Sequence, residues 1–139
     1  EPERTIKLVA EMGKVFPLHA AACGKILLAY AQPSLQNHIL ESTLETYTPL
    51  TITDSKALKL EIERIRAEGK AISVEEMTYG AAEIAVPLFN SDGSLIAALS
   101  IAGPKFDVEP KLTSLESLLR LSADTIVKQL INDRKNNCD

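Results

Sequence analysis

AISVEEMTYGAAEIAVPLFNSDGSLIAALSIAG, residues 71–103, is the stretch that decides the fold of this chain. It predicts an extended segment, a polar crossing over 75–80, and two strands over 83–89 and 94–102. Both strands are short and rich in Ile, Val and Leu, and the segment 90–93 between them ends in Asp-Gly, which is a strong hairpin signal. We therefore expect a β-hairpin here.

The second strand of this hairpin predicts two unequal faces. Alternation places one row on each face: Leu95, Ala97, Leu99 and Ile101 on the first, and Ile96, Ala98, Ser100 and Ala102 on the second. The second row is made of smaller and partly polar side chains. It can floor a ligand pocket or accept a closely packed helix, and the sequence leaves both alternatives open.

Length and composition predict one globular domain spanning 1–139. The chain is 45% hydrophobic and 24% charged, which suffices for a buried core. Its net charge is −4 and it has no basic stripe, so the chain alone is a poor candidate for nucleic-acid binding. It has no apolar run near the roughly 18 residues of a membrane span and no signal-peptide pattern, so we expect a cytoplasmic protein. Because it begins at Glu1 rather than Met, we interpret it as part of a longer protein.

Helical patterns surround the hairpin. We predict a strand over 4–11, helices over 19–30, 33–42, 56–68 and 111–131, irregular chain over 46–53, and a loop over 104–110. Asp54 or Ser55 is expected to cap the third helix and Gly69 to end it. In the last helix we predict a buried stripe of Leu115, Leu119, Ser122, Ile126 and Leu130, and a capping box of Thr113 and Glu116. The order of elements indicates an α+β domain, with helices packed on a largely antiparallel sheet.

Small residues at 20–24 (AAACG) open the first helix and form the first candidate site. They leave backbone N–H groups accessible, and these groups together with the helix dipole favour an anion such as a carboxylate. Small residues also allow a helix to pack closely on a sheet, and the sequence alone favours that packing role.

His19 and Cys23 stand four residues apart and would share a helix face, where an imidazole could activate a thiol. A buried cysteine that acts as a small hydrophobe is the commoner outcome. Lys25 is expected to be exposed to solvent. No characteristic spacing indicates a metal site or a cofactor.

Three glutamates are further candidates. Glu75 and Glu76 are adjacent and would point to opposite faces of a strand, so their spacing does not make a site. Glu83 opens an apolar strand. If Glu83 points inward, it needs a protein donor or a ligand group as partner; if it points outward, it is unremarkable.

Several motifs, in order, resemble the IclR family of bacterial transcriptional regulators. Residues 16–29 (FPLHAAACGKILLA) resemble the PLHATALGKALLA signature of that family. The further matches are TPLTITD at 48–54, IRAEGKA at 65–71, Glu75-Glu76 with Gly80, IAVPLF at 84–89 and AALSIAGP at 97–104. The resemblance covers roughly 4–131 and implies the C-terminal effector-binding domain, with a GAF-like fold.

The resemblance also implies the site and the role of the domain. The implied pocket lies between the sheet and the signature helix, lined by Leu8, Ala22, Cys23, Ser73, Ala81, Glu83, Ser100 and Ala102. A small effector, such as an organic acid, a sugar acid or a related catabolite, would bind there and control an N-terminal winged helix-turn-helix. That DNA-binding half is missing here, as the first helix and strands of the effector domain are expected to be. A homodimer or homotetramer is expected.

Three departures from the family bear on the ligand. Ser73 stands where many relatives have Asp, Glu83 where Cys is common, and Ala102 where Ser or Gly is frequent. A carboxylate in the wall would repel a simple dicarboxylate, so Glu83 favours a ligand with hydroxyls or a positive group, or else a protonated Glu83. The alternatives to a sensor are an enzyme that uses Cys23 with His19 as base, and a pure oligomerisation module.

Overall fold

The computed structural model describes residues 15–138. Its elements in chain order are α1 (Ala22–Ala29), α2 (Pro33–Glu41), α3 (Ser55–Glu68), β1 (Ala71–Val74), β2 (Ala81–Phe89), β3 (Leu95–Pro104), α4 (Lys105–Val108), a 3-10 turn (Glu109–Lys111) and α5 (Leu112–Asn136). The strand predicted over 4–11, with Leu8, lies outside the described residues.

The three strands form an antiparallel sheet in the order β1-β2-β3, which confirms the predicted hairpin and the α+β class. Asn90 donates its backbone N–H to the Ser94 carbonyl at 2.7 Å to close the turn. Gly93 has φ +84°, a left-handed conformation that glycine adopts without strain. Local turn chemistry thus sets the register of the hairpin.

A β-bulge interrupts the alternation that we predicted along β3. Leu88 pairs with Ala97 but Phe89 pairs with Leu95, so Ile96 is the extra residue. The bulge turns Leu95 towards the face on which α1 packs, while Leu99 and Ile101 face α5. The prediction of one unbroken row from Leu95 to Ile101 was therefore wrong at Leu95.

A hydrophobic core lies on each side of the sheet. On one side α1 packs on the sheet and α3 packs on α1, in a cluster that includes Ile26, Leu28, Leu58, Ile65 and Ala85. On the other side α5 covers Ile84, Val86 and Leu88 with Leu119 and Ala123. The sheet is thereby buried on both faces near its centre.

The helices confirm most of the predicted pattern. The Asp54 side chain accepts a hydrogen bond from the Ala57 N–H at 2.9 Å to cap α3, and Gly69 ends α3 at φ +68°. The first helix begins at Ala22 rather than at residue 19, because residues 18–20 form a turn.

The segment after β3 differs from the prediction. Residues 104–110, expected as a loop, contain α4 and most of the 3-10 turn. The predicted capping box of Thr113 and Glu116 is absent, since Lys111 stands at the N-cap without a side-chain hydrogen bond. The chain enters α5 from helical conformations, which leaves no extended N-cap residue to fold back on the first turn.

The buried face of α5 also differs in part. Its contacts with the sheet follow Leu115, Leu119, Ala123 and Val127, four residues apart. Ile126 and Leu130 of the predicted stripe are each 37% exposed. The predicted stripe continues from Leu119 to Ser122, whereas the buried face of α5 continues from Leu119 to Ala123.

Candidate functional site

The face of the sheet that packs on α1 carries the predicted site residues together. Ser73, Glu83 and Ala102 pair across the three strands in one row, and Ala71, Ala85 and Ser100 pair in the next. Residues paired across strands share a face. Ala81, paired with Pro104, continues this face at its end. We refer to Ser73, Ala81, Glu83, Ser100 and Ala102, with Ala22 and Cys23 of α1, as the α1 site.

Glu83 joins the sheet to the start of α1. Its Oε2 accepts a hydrogen bond from the backbone N–H of Ala22 at 2.7 Å. Ala21, at the N-cap, has no side-chain oxygen to cap the helix, so the Glu83 carboxylate takes this role from a distant strand. Glu83 therefore points towards the helix, where a protein donor meets its carboxylate.

The serines of the α1 site differ in exposure. Ser73 is buried and donates its hydroxyl to the Ala20 carbonyl at 2.7 Å, which fixes the turn before α1. Ser100 and Ala102 are exposed on the same face, and Ala81 is half-buried. The site thus has a closed end beneath α1 and an open end along β3.

Cys23 is half-buried beside Glu83. Burial, followed by the charge of Glu83 and a hydrogen bond to it, raises the pKa of the thiol to about 11, although contacts with the N–H groups of Gly24 and Cys23 act in the opposite direction. At neutral pH the thiol therefore stays protonated. His19 is engaged elsewhere, with Nε2 2.8 Å from the Glu45 carbonyl oxygen and its ring near Tyr47. This geometry does not activate a nucleophile.

Alkylation of Cys23 by iodoacetamide is expected to be about 100-fold slower at pH 8 than that of an ordinary exposed thiol, because its raised pKa of about 11 leaves little thiolate. The Cys138→Ser variant isolates Cys23, and the Cys23→Ser variant isolates the exposed Cys138 as control. Rates from mass spectrometry between pH 7 and 10 test this. Equal rates for the two thiols at pH 8 would contradict the assigned environment.

Lys25 corrects the expectation of a solvent-exposed lysine. Its side chain is only 1% exposed, and its Nζ lies 3.0 Å from Glu61 Oε1, 2.9 Å from Glu76 Oε2 and 2.7 Å from the Ile72 carbonyl oxygen. This buried cation ties α1 to α3, to β1 and to the crossing at 75–80. Its position in an apolar helical run, between Gly24 and Ile26, was the one signal in the sequence.

The two carboxylates around Lys25 have different environments. Burial alone would raise the pKa of Glu61, but hydrogen bonds from Arg64 and Lys25 and their charges outweigh it, and the pKa is lowered. Glu76 is deeper, and burial raises its pKa despite Lys25. The two carboxylates therefore differ in proton affinity, with the pKa of Glu61 below its ordinary value and that of Glu76 above it.

Glu75 is the first residue of the crossing at 75–80. It has φ +55°, which is unusual for a residue other than glycine. Its carbonyl accepts a hydrogen bond from the Thr48 hydroxyl, and its carboxylate lies 3.1 Å from Lys105 Nζ. Glu75 and Glu76 thus reach different lysines, in agreement with the prediction that they do not form one site.

The described residues also form a surface depression that is separate from the α1 site. An open depression between α2 and α3 lies away from the α1 site and is lined by Asn37, Leu40, Glu41, Ser55, Lys56 and Lys59. Within 15–138, no three His, Cys, Asp or Glu residues are grouped to hold a metal ion. In the same range no helix has the length and apolar character to cross a membrane.

Comparison with known protein families identifies the chain. The family model described as the C-terminal domain of the bacterial transcriptional regulator IclR matches residues 1–128. The chain belongs to the IclR family. Among its curated relatives, the HTH-type transcriptional regulator BhcR of Paracoccus denitrificans is 40% identical over 105 residues, 75% of this chain and 38% of that protein. The HTH-type transcriptional repressor AllR of Escherichia coli K12 is 34% identical over 128 residues, 91% of this chain and 47% of that protein.

This IclR-family chain therefore spans less than half the length of either relative. These homologues are transcriptional regulators and not enzymes, which agrees with the protonated Cys23.

Solved structures of IclR proteins share the fold. The Thermotoga maritima IclR structure superposes with a TM-score of 0.80 at 32% identity, covering 92% of this chain and 53% of that one. An IclR homologue from Microbacterium hydrocarbonoxydans, in complex with 4-hydroxybenzoate, superposes with a TM-score of 0.77 at 29% identity, covering 91% of this chain and 52% of that one. The predicted IclR-type, GAF-like α+β domain is thus confirmed.

Proposed function

We propose that this IclR-family domain senses a small polar metabolite at the α1 site. The observation that carries the proposal is the junction at Glu83, where a strand carboxylate meets the start of α1 beside the exposed Ser100 and Ala102. A ligand that enters along β3 would meet Ser100 and Ala102 at the open end, and Glu83 and Cys23 at the closed end. Leu8, from outside the described residues, would close the apolar side.

The proposed ligands are organic acids, sugar acids and related catabolites. The complex of the Microbacterium homologue with 4-hydroxybenzoate supports this size and chemical class. The exposed Ser100 hydroxyl is available for a hydrogen bond to the ligand, whereas the Ser73 hydroxyl is held by Ala20 and would contribute only after a shift of the turn.

Binding would control DNA through a helix-turn-helix domain attached in the longer, cytoplasmic protein. A ligand that prefers one arrangement of α1 on the sheet shifts the population towards it by its difference in affinity. α1 is connected to the crossing at 75–80 through Lys25 and Glu76, so its movement would reach the segment that joins β1 to β2. In a homodimer or homotetramer this would reorient the DNA-binding domains.

A scan of the melting temperature against small acids, sugar acids, polyols and amines tests the proposal. A ligand at 100 times its Kd is expected to raise the melting temperature by about 5 °C or more, since it binds only the folded state. Ser100→Leu should abolish the shift by filling the open end of the site. Ser117→Leu, on the exposed side of α5, is the matched control and should preserve it.

The outcomes separate the alternatives. A shift that persists in Ser100→Leu would place the ligand elsewhere and contradict the site. No shift by any compound would contradict the sensor and favour a packed oligomerisation module.

A further inference from the structure

Two donors at the closed end of the α1 site already bind groups of the protein. The Ala22 N–H binds the Glu83 carboxylate at 2.7 Å, and the Ser73 hydroxyl donates to Ala20. The Cys23 thiol lies beside Glu83, which helps to raise the pKa of the thiol. A ligand carboxylate arriving here would meet the carboxylate of Glu83, which already binds the first N–H group of the helix.

The lysines near the site do not offset this negative charge. Within the part of the chain that the structure describes, three lysines lie within three residues of a member of the α1 site, and all are paired: Lys25 with Glu61 and Glu76, Lys70 with Glu116, and Lys105 with Glu75. A bound anion would therefore face Glu83 without a free cation from these positions.

We infer that Glu83 sets the charge of the ligand: the closed end of the α1 site accepts a hydroxyl or an ammonium group and rejects a carboxylate. The inference rests on the proposed function and specifies which end of the metabolite reaches α1. A hydroxyl or an ammonium can donate to the Glu83 oxygen that is not bound to Ala22, whereas a carboxylate would meet like charge. A sugar acid would enter with a hydroxyl first and keep its carboxylate at the open end.

Three probes with the same ring and one polar group each test this: benzoate, benzyl alcohol and benzylamine. Calorimetric titration of the whole 139-residue chain is expected to give at least tenfold weaker binding for benzoate than for either of the others.

Two variants separate the effect of the Glu83 charge from the effect of its hydrogen bond with the Ala22 N–H. Glu83→Gln removes the charge but keeps an acceptor for Ala22, and Glu83→Ala also frees the N–H. We expect benzoate affinity to rise about tenfold or more in Glu83→Ala and by less in Glu83→Gln, while benzylamine affinity falls in both.

Glu63→Gln is the matched control, because it changes the net charge equally at an exposed position of α3 and should leave all three Kd values unchanged. A readout that needs no ligand is Cys23 alkylation in the Cys138→Ser background. It should become faster in Glu83→Ala, because Glu83 helps to raise the thiol pKa.

Two results would overturn the inference. Benzoate that binds the natural chain as tightly as benzyl alcohol, or that gains nothing in Glu83→Ala, would contradict the role of Glu83 and leave the sensor function standing. Absence of binding by all three probes in every variant would contradict the sensor site as well.

Discussion

Lys25→Met is expected to lower the free energy of unfolding by about 3–5 kcal/mol, the usual cost of removing one partner from a buried ionic cluster. Methionine matches the length of the lysine stem, so packing of α1 is largely kept. Glu61 retains Arg64 as a partner, but Glu76 and the Ile72 carbonyl lose the donor that satisfies them. The loss thus arises from uncompensated polar groups rather than from a cavity.

Urea unfolding at pH 7 measures this loss, with Lys59→Met on the exposed side of α3 as the matched control. In Lys25→Met the pKa of Glu76 should rise further, because burial acts on it without the opposing lysine. The folded state then binds a proton more strongly than the unfolded state, so stability should recover in part as the pH falls from 7 to 5. Addition of Glu76→Gln should also restore stability at pH 7. A loss no larger than that of Lys59→Met would contradict a buried cluster.

The central part of the fold was predictable because its signals are local. The Asp-Gly turn, the apolar run of β2 and the Asp54 cap each act within a few residues, and the structure contains all three. The bulge at Ile96 left no such signal, since it depends on how the strand end packs against α1.

The contacts of the candidate site were less predictable because its partners are distant in the chain. Strand alternation places Ser73 and Glu83 on one face once their register is known. The hydrogen bond from Ala22 to Glu83 joins residues 61 positions apart, and Lys25 reaches Glu76 across 51. Residue type alone predicts that Lys25 lies at the surface. Only the tertiary fold supplies the two carboxylates that allow its burial.

Gly24→Ala is expected to destabilise the chain by about 3 kcal/mol, the upper end of the usual cost of overpacking. This sign is the opposite of the general rule, since alanine in a helix interior is about 0.5–1 kcal/mol more stable than glycine. A Cβ at Gly24 would collide with the Pro17 carbonyl oxygen and lie 3.1 Å from the Leu18 Cα. Both are backbone atoms of the segment that enters α1, so relief requires α1 to move away from that segment.

Gly93→Ala supplies the control, because a Cβ there meets no atom within 4 Å and only the φ of +84° is unfavourable, at a cost of about 1 kcal/mol. Urea unfolding of the two variants separates the collision from the general effect of the substitution. Movement of α1 in Gly24→Ala should also lengthen the contact of Ala22 with Glu83 and speed the alkylation of Cys23. A Gly24→Ala chain as stable as the natural one, or more stable, would show that α1 is not held against residues 17–18. The close approach that places the helix start over Glu83 would then not be a fixed feature of the site.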